Sequence, residues 1–169
     1  MGNKIKKIIL AGGCFWGVEE YYRRLKGIIS TTVGYANGNS VAPSYEDLVN
    51  HRVTHSEACE IYYDESIISL KTILEHMFRF IDPTSINKQG GDIGMQYRTG
   101  VYYLDEEDKK IIDEFITEKQ KSYDAKIVVE VEKEDGYYLA EQYHQDYLQK
   151  NPQGYCHVNM GLIKKDELK

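Results

Sequence analysis

The 169-residue sequence has no CxxC pair, only three cysteines, no long apolar run and no excess of positive charge. Cys14, Cys59 and Cys156 are too few and too scattered for a disulfide scaffold. Without a CxxC pair, neither a zinc ribbon nor a thioredoxin-type motif is expected. Such cysteine usage fits a reducing, intracellular compartment, and a cytoplasmic location is expected. No stretch is long enough to span a bilayer. A formal net charge of -6 argues against a nucleic-acid partner and gives no reason to expect an anionic membrane surface. Internal repeats, low-complexity segments and linkers are also missing, so one domain is expected over residues 1–169, enough chain for a sizeable core. Lys4, Lys6 and Lys7 ahead of a short apolar run imitate a secretory or lipoprotein signal. The run falls short of the roughly 7–15 residues that such a segment needs. Lys165-Asp166-Glu167-Leu168 spells a retention tetrapeptide, but Lys169 follows it, so it is not terminal.

What is present is an ordinary globular composition with many tyrosines, 15 in all. Tyrosine joins an apolar body to a hydroxyl donor, which suits a site for something partly apolar and partly polar. Ile8-Ile9-Leu10-Ala11 reads as a buried parallel strand. It leads through Gly12-Gly13 into a helical pattern of Phe15, Val18, Tyr22 and Leu25. Glu19 and Glu20, four residues before Arg23 and Arg24, suggest an exposed face on that helix. Residues 28–36 and 57–64 read as strands. Ser44 caps a short helical piece over 45–50, and Ser69 opens a strong helix that Asp82-Pro83 ends. A polar, glycine-bearing loop over 84–98 is long enough to suspect function. Further strands are expected at 99–104 and 127–131, and helices at 105–123 and 140–150, followed by an irregular tail. Interleaved strands and helices with short crossovers give an α/β or α+β class with helices on a mixed sheet. The order is compatible with a split βαβ core, and a doubly wound sheet is not excluded.

Cys14 stands where a strand turns through two glycines into a helix. Free backbone N–H groups and the positive end of the helix dipole meet there, so a lowered thiol pKa is expected. A small buried hydrophobe is the competing reading. Trp16 lies off the apolar stripe that Phe15 heads, which points its indole at a pocket; an aromatic wall of this kind suits a thioether. Glu57 shares a strand face with Cys59, Ile61 and Tyr63. Desolvation there would raise its pKa and let it deliver a proton, unless it merely reaches solvent at the strand end. Cys59, on the same apolar face, is expected to be a core thiol. His51 and His55 are four apart but not on an established helix, so metal ligation is not expected.

Gly13-Cys14-Phe15-Trp16-Gly17 resembles the signature of the peptide methionine sulfoxide reductase A family, and further blocks follow in order. Thr54-His55-Ser56-Glu57 resembles a Gly-His-x-Glu block with threonine in the glycine place. Ser44-Tyr45-Glu46 matches a tyrosine-bearing block, and residues 90–98 match another that carries Asp92 and Tyr97. Ala140–Gln145 and Gly154-Tyr155-Cys156-His157 resemble the C-terminal blocks. The resemblance implies a ferredoxin-like core with a C-terminal coil. It implies Cys14 as the nucleophile, Glu57 as the acid, Tyr45, Tyr97 and Asp92 in the site, Phe15 and Trp16 as substrate wall, and Cys156 as the resolving thiol. The implied reaction reduces methionine (S)-sulfoxide, free or in proteins, with no cofactor. Its partner is thioredoxin or another dithiol, and a monomer is expected. Two alternatives stay open. One is a cysteine hydrolase or acyltransferase with His51, His55 or His144 as base; the other is a non-catalytic domain binding methionine peptides through Phe15 and Trp16.

Overall fold

The computed structural model describes residues 4–169. Among them the chain forms, in order, β1 (Ile5–Gly12), α1 (Phe15–Arg23), β2 (Ile28–Ala36), α2 (Tyr45–Val49), β3 (Ser56–Asp64), α3 (Leu70–Phe80), β4 (Lys88–Gln89), β5 (Asp92–Ile93), β6 (Thr99–Tyr103), α4 (Glu106–Gln120), β7 (Glu130–Lys133), β8 (Tyr137–Leu139) and α5 (Tyr147–Lys150). Six strands make one sheet in the order β7-β6-β1-β3-β2-β8, with β4–β5 a separate small hairpin. Its middle, β6-β1-β3-β2, is antiparallel throughout. With α1 and α3 as crossovers this is the expected ferredoxin-like βαββαβ core. β7 adds parallel to β6 and makes the sheet mixed.

The first strand is therefore not parallel, as its apolar run had suggested; it is antiparallel to both neighbours. The run is continuous because both faces are covered. Ile8 and Leu10 pack with Val18 and Tyr22 of α1, with Leu25 just after it, and with Ile73, Leu74 and Met77 of α3. Ile9 and Ala11 pack on the other face with Ala36, Ala58, Tyr102 and Tyr137. Three residues, 134–136, join the two edge strands β7 and β8. Four Cα steps reach at most about 14 Å, whereas the edges of a flat six-stranded sheet stand about 24 Å apart. The sheet must curl until its edges approach. Asn37 stitches the join: its N–H donates to the Gly136 carbonyl at 3.0 Å, its Nδ2 donates to the Lys133 carbonyl at 3.1 Å, and its Oδ1 accepts from the Asp135 N–H at 2.7 Å. A Cβ on Gly34 would fall 2.5 Å from the Tyr138 carbonyl oxygen and 2.6 Å from the Tyr137 ring, so the concave face admits only hydrogen there.

The helix starts follow their caps. Ser44 and Asp47 form a capping box at α2, and Ser69 and Asp105 accept from the third residue of α3 and α4. Three other expectations are corrected. β7 begins at Glu130 and not at Ile127. Residues 140–150 are not one helix. A 3₁₀ turn (Gln142–His144) precedes α5, and Asp146 at φ 52° breaks the path between them. The segment is held by β2 instead of by itself: the Ala140 N–H donates to the Val33 carbonyl at 3.0 Å, and Gln145 Oε1 accepts from the Val33 N–H at 2.9 Å. Glu19 and Glu20 are buried, not exposed. Glu20 pairs with Arg23 and Arg24, while Glu19 accepts from the Thr31 hydroxyl and the Asp146 N–H. The C-terminal coil lies over this face of α1.

Candidate active site

β1 ends at Gly12, Gly13 turns at φ +90°, and Cys14 is the N-cap of α1. Its sulfur opens into a pocket of about 200 Å³ lined by Cys14, Phe15, Trp16, Tyr45, Glu57, Asp92, Tyr97 and Tyr155. The seven residues singled out for catalysis or substrate contact thus meet in one place, drawn from α1, α2, β3, β5 and the 3₁₀ turn before β6. Tyr155 was not foreseen, although it adjoins Cys156 in sequence.

Glu57 is 1% exposed at the start of β3. Its Oε1 accepts the Phe15 N–H at 3.2 Å, and its Oε2 has no partner. Burial pushes its pKa up to about 8, with the Asp92 charge in support and the Phe15 N–H opposed. Glu57 is therefore a carboxylic acid at neutral pH. The hydroxyls of Tyr45 and Tyr97 are held above their ordinary values, first by burial and then by Glu57, so both remain donors. The Tyr45 backbone N–H donates to Glu141 Oε2 at 2.9 Å, and the Tyr35 hydroxyl donates to Glu141 Oε1 at 2.7 Å. Glu141 thus fixes the start of α2, a role that sequence reasoning missed. The Tyr155 hydroxyl donates to Asp92 Oδ2 at 2.9 Å.

The lowered pKa expected for Cys14 is not what the resting site has. The thiol is 7% exposed. Burial pushes it up, the neighbouring Glu57 adds to this, and the Trp16 N–H works weakly the other way. Desolvation outweighs the helix N-terminus here.

Trp16 stacks on Tyr147 with ring centroids 3.8 Å apart and planes at 9°. Its indole N–H donates to His144 Nδ1 at 3.0 Å. His144, also unforeseen in this role, is thereby the prop of the aromatic wall and lies outside the pocket lining. His55 donates from Nε2 to the Ser40 carbonyl and His157 from Nε2 to the Gly12 carbonyl. Among the described residues no histidine lines the pocket, so a cysteine hydrolase would lack its base. Cys156 is outside the lining too. Its thiol donates to the Val158 carbonyl at 3.2 Å, and its Sγ sits 3.1 Å from where a Cβ on Gly17 would be. Gly17 is three residues on from Cys14, so Cys156 rests about one helical turn from it. All three cysteines are free, and Cys59 is a core thiol in β3.

Known proteins resemble the chain over almost its whole length. A family model described as peptide methionine sulfoxide reductase matches residues 6–169. A Clostridium perfringens protein called peptide methionine sulfoxide reductase MsrA is 56% identical over 156 residues, 92% of this chain and 99% of its own. The crystal structure of Mxr1 from Saccharomyces cerevisiae in reduced form superposes with a TM-score of 0.87 at 37% identity, covering 92% of each chain. Mxr1 in complex with Trx2 gives a TM-score of 0.61 at 29% identity, covering 85% of each chain. With a family match spanning residues 6–169, the chain belongs to the peptide methionine sulfoxide reductase family.

Proposed function

We propose that the protein reduces methionine (S)-sulfoxide, free or in polypeptides, to methionine, with Cys14 as the redox centre. The observation that carries this reading is the pairing of a thiol with a buried, protonated carboxyl whose Oε2 is unpartnered, in a pocket that Tyr45 and Tyr97 also line. The Cys14 sulfur attacks the sulfoxide sulfur. Glu57 protonates the oxygen as negative charge builds on it, and Tyr45 and Tyr97 donate to the same atom. Phe15 and Trp16 supply an apolar wall for the methyl end, and sulfur–aromatic contacts favour that seat. Asp92, held by Tyr155, borders the polar side.

The attack joins Cys14 to the substrate sulfur, and the S–O bond breaks as the protonated oxygen leaves as water. Water then attacks the Cys14 sulfur and breaks the S–S bond, so that methionine leaves and Cys14 remains as a sulfenic acid. The Cys156 thiol then attacks Cys14, forming a disulfide and releasing one water. A dithiol of the thioredoxin class reduces the disulfide to two thiols. The complex of the Mxr1 relative with Trx2 supports that choice of reductant. No metal, flavin or nucleotide takes part. A monomer working in the cytoplasm belongs to the same proposal. The test is turnover of a methionine sulfoxide peptide resolved by epimer, first with dithiothreitol and then with thioredoxin. Consumption of the S epimer alone is expected; turnover of neither epimer refutes the reading.

A further inference from the structure

The segment that carries Cys156 straddles Cys14. On one side, Cys156 Sγ rests against Gly17, 3.1 Å from the place of a Cβ there. On the other, the His157 ring lies on Gly13, whose Cβ position is 2.8 Å from His157 Nε2 and 3.2 Å from its Cε1. His157 Nε2–H donates to the Gly12 carbonyl at 2.8 Å. A carbonyl can only accept, so the neutral ring carries its proton on Nε2, and its buried Nδ1 has no partner. His157 also reaches the β4–β5 turn through its Cβ, 3.4 Å from the Cβ position of Gly90. Gly13 therefore has two reasons to be glycine: its φ of +90° and the ring packed on it.

We propose that His157 is a positioning residue for the resolving step: its hydrogen bond to the Gly12 carbonyl tethers the Cys156 coil to the turn that presents Cys14. The proposal rests on the reading of Cys156 as the resolving thiol. A disulfide requires the two Cα atoms within roughly 7 Å. The tether fixes the residue after Cys156 to the residue two before Cys14, so the thiol needs only a short swing. Without it, the coil between α5 and the 3₁₀ turn Met160–Leu162 must find that geometry by search. Losing orientation of this kind slows a step by about 10- to 100-fold. Sulfoxide reduction itself uses none of these contacts.

The experiment compares wild type, His157→Ala and His157→Gln in a single turnover of methionine sulfoxide peptide without reductant. Methionine release and Cys14–Cys156 disulfide formation are followed separately by quenched mass spectrometry. Methionine release in His157→Ala should stay within about twofold of wild type while disulfide formation slows about 10- to 100-fold. His157→Gln, which keeps an N–H donor, should restore most of the rate. Disulfide formation at the wild-type rate in His157→Ala overturns the proposal. So does a failure of glutamine to rescue it, or an equal loss in both steps. If wild type forms no Cys14–Cys156 linkage at all, the resolving role of Cys156 fails and the tether falls with it; a wild-type linkage with an unaffected alanine variant refutes the tether alone.

Discussion

Replacing Glu57 by glutamine separates its chemistry from its packing, because the two are expected to move in opposite directions. The amide keeps the side-chain volume, and its oxygen can still accept the Phe15 N–H. It cannot transfer a carboxylic proton, so methionine release in a single turnover should fall about 100- to 10,000-fold, about 3–5 kcal/mol in barrier height. The wild-type profile of log rate against pH should bend downward near pH 8, where Glu57 ionises; the glutamine variant should lack that bend. Stability should respond with the other sign. The folded-state pKa of about 8 lies above the ordinary 4.5, so between those values the native state holds a proton that the unfolded chain has released. Stability from this group is complete below about pH 4.5 and is lost as pH rises towards 8, amounting to about 5 kcal/mol across the interval. Glutamine carries no such penalty. Its melting temperature should match wild type near pH 5 and exceed it at pH 8.5. The assays are rapid-quench methionine release and thermal unfolding at the two pH values. A variant that reduces sulfoxide at the wild-type rate, or that melts below wild type at pH 8.5, would show that the buried carboxyl is a structural group.

Three further outcomes follow from the geometry. Cys14→Ser should release no methionine, because a serine hydroxyl is far less ionised and forms no sulfenic acid; substantial residual turnover sinks the assignment of the nucleophile. Cys156→Ser should release about one methionine per enzyme and then stall with thioredoxin, with turnover restored by dithiothreitol, which reaches the sulfenic acid directly; continued turnover with thioredoxin alone argues against the resolving role. Tyr155→Phe removes the hydrogen bond to Asp92 within the pocket lining and should raise KM by about tenfold or more, the size of one hydrogen bond to a charged group, with the single-turnover rate at saturation unchanged; an unaltered KM places Tyr155 outside substrate contact.

How far the molecule could be read in advance depends on whether a residue's partner is near or far in the chain. Ser44 and Ser69 cap helices through the third residue onward, a relation written within four residues, and both were legible; Asp105, read as the first helical residue, is the cap of α4. Strand alternation correctly placed Glu57, Cys59, Ile61 and Tyr63 on one buried face, because the period of two needs no knowledge of the neighbour. Two of the errors involve partners more than 100 residues away. Glu19 looked exposed because nothing near it shows that the Asp146 N–H, |i−j|=127, comes to rest on its carboxylate. Residues 140–150 carried a helical pattern that hydrogen bonds to Val33, |i−j|=112, override.

The thiol of Cys14 is the instructive case, since its position was read correctly and its electrostatics were not. A helix N-terminus is a local fact, worth up to about 2 kcal/mol in favourable geometry. Desolvation is a sum over every element packed above the sulfur, here α2, β3, β5 and the coil after α5. The same burial raises Glu57, so the environment that withholds the thiolate also keeps a proton on the carboxyl beside it. A pocket open enough to lower the Cys14 pKa would have let Glu57 ionise, and its charge would then have opposed the thiolate beside it. The two shifts are one consequence of closing the pocket, and the two sequence blocks that hold Cys14 and Glu57 carry no record of how deeply the fold buries them.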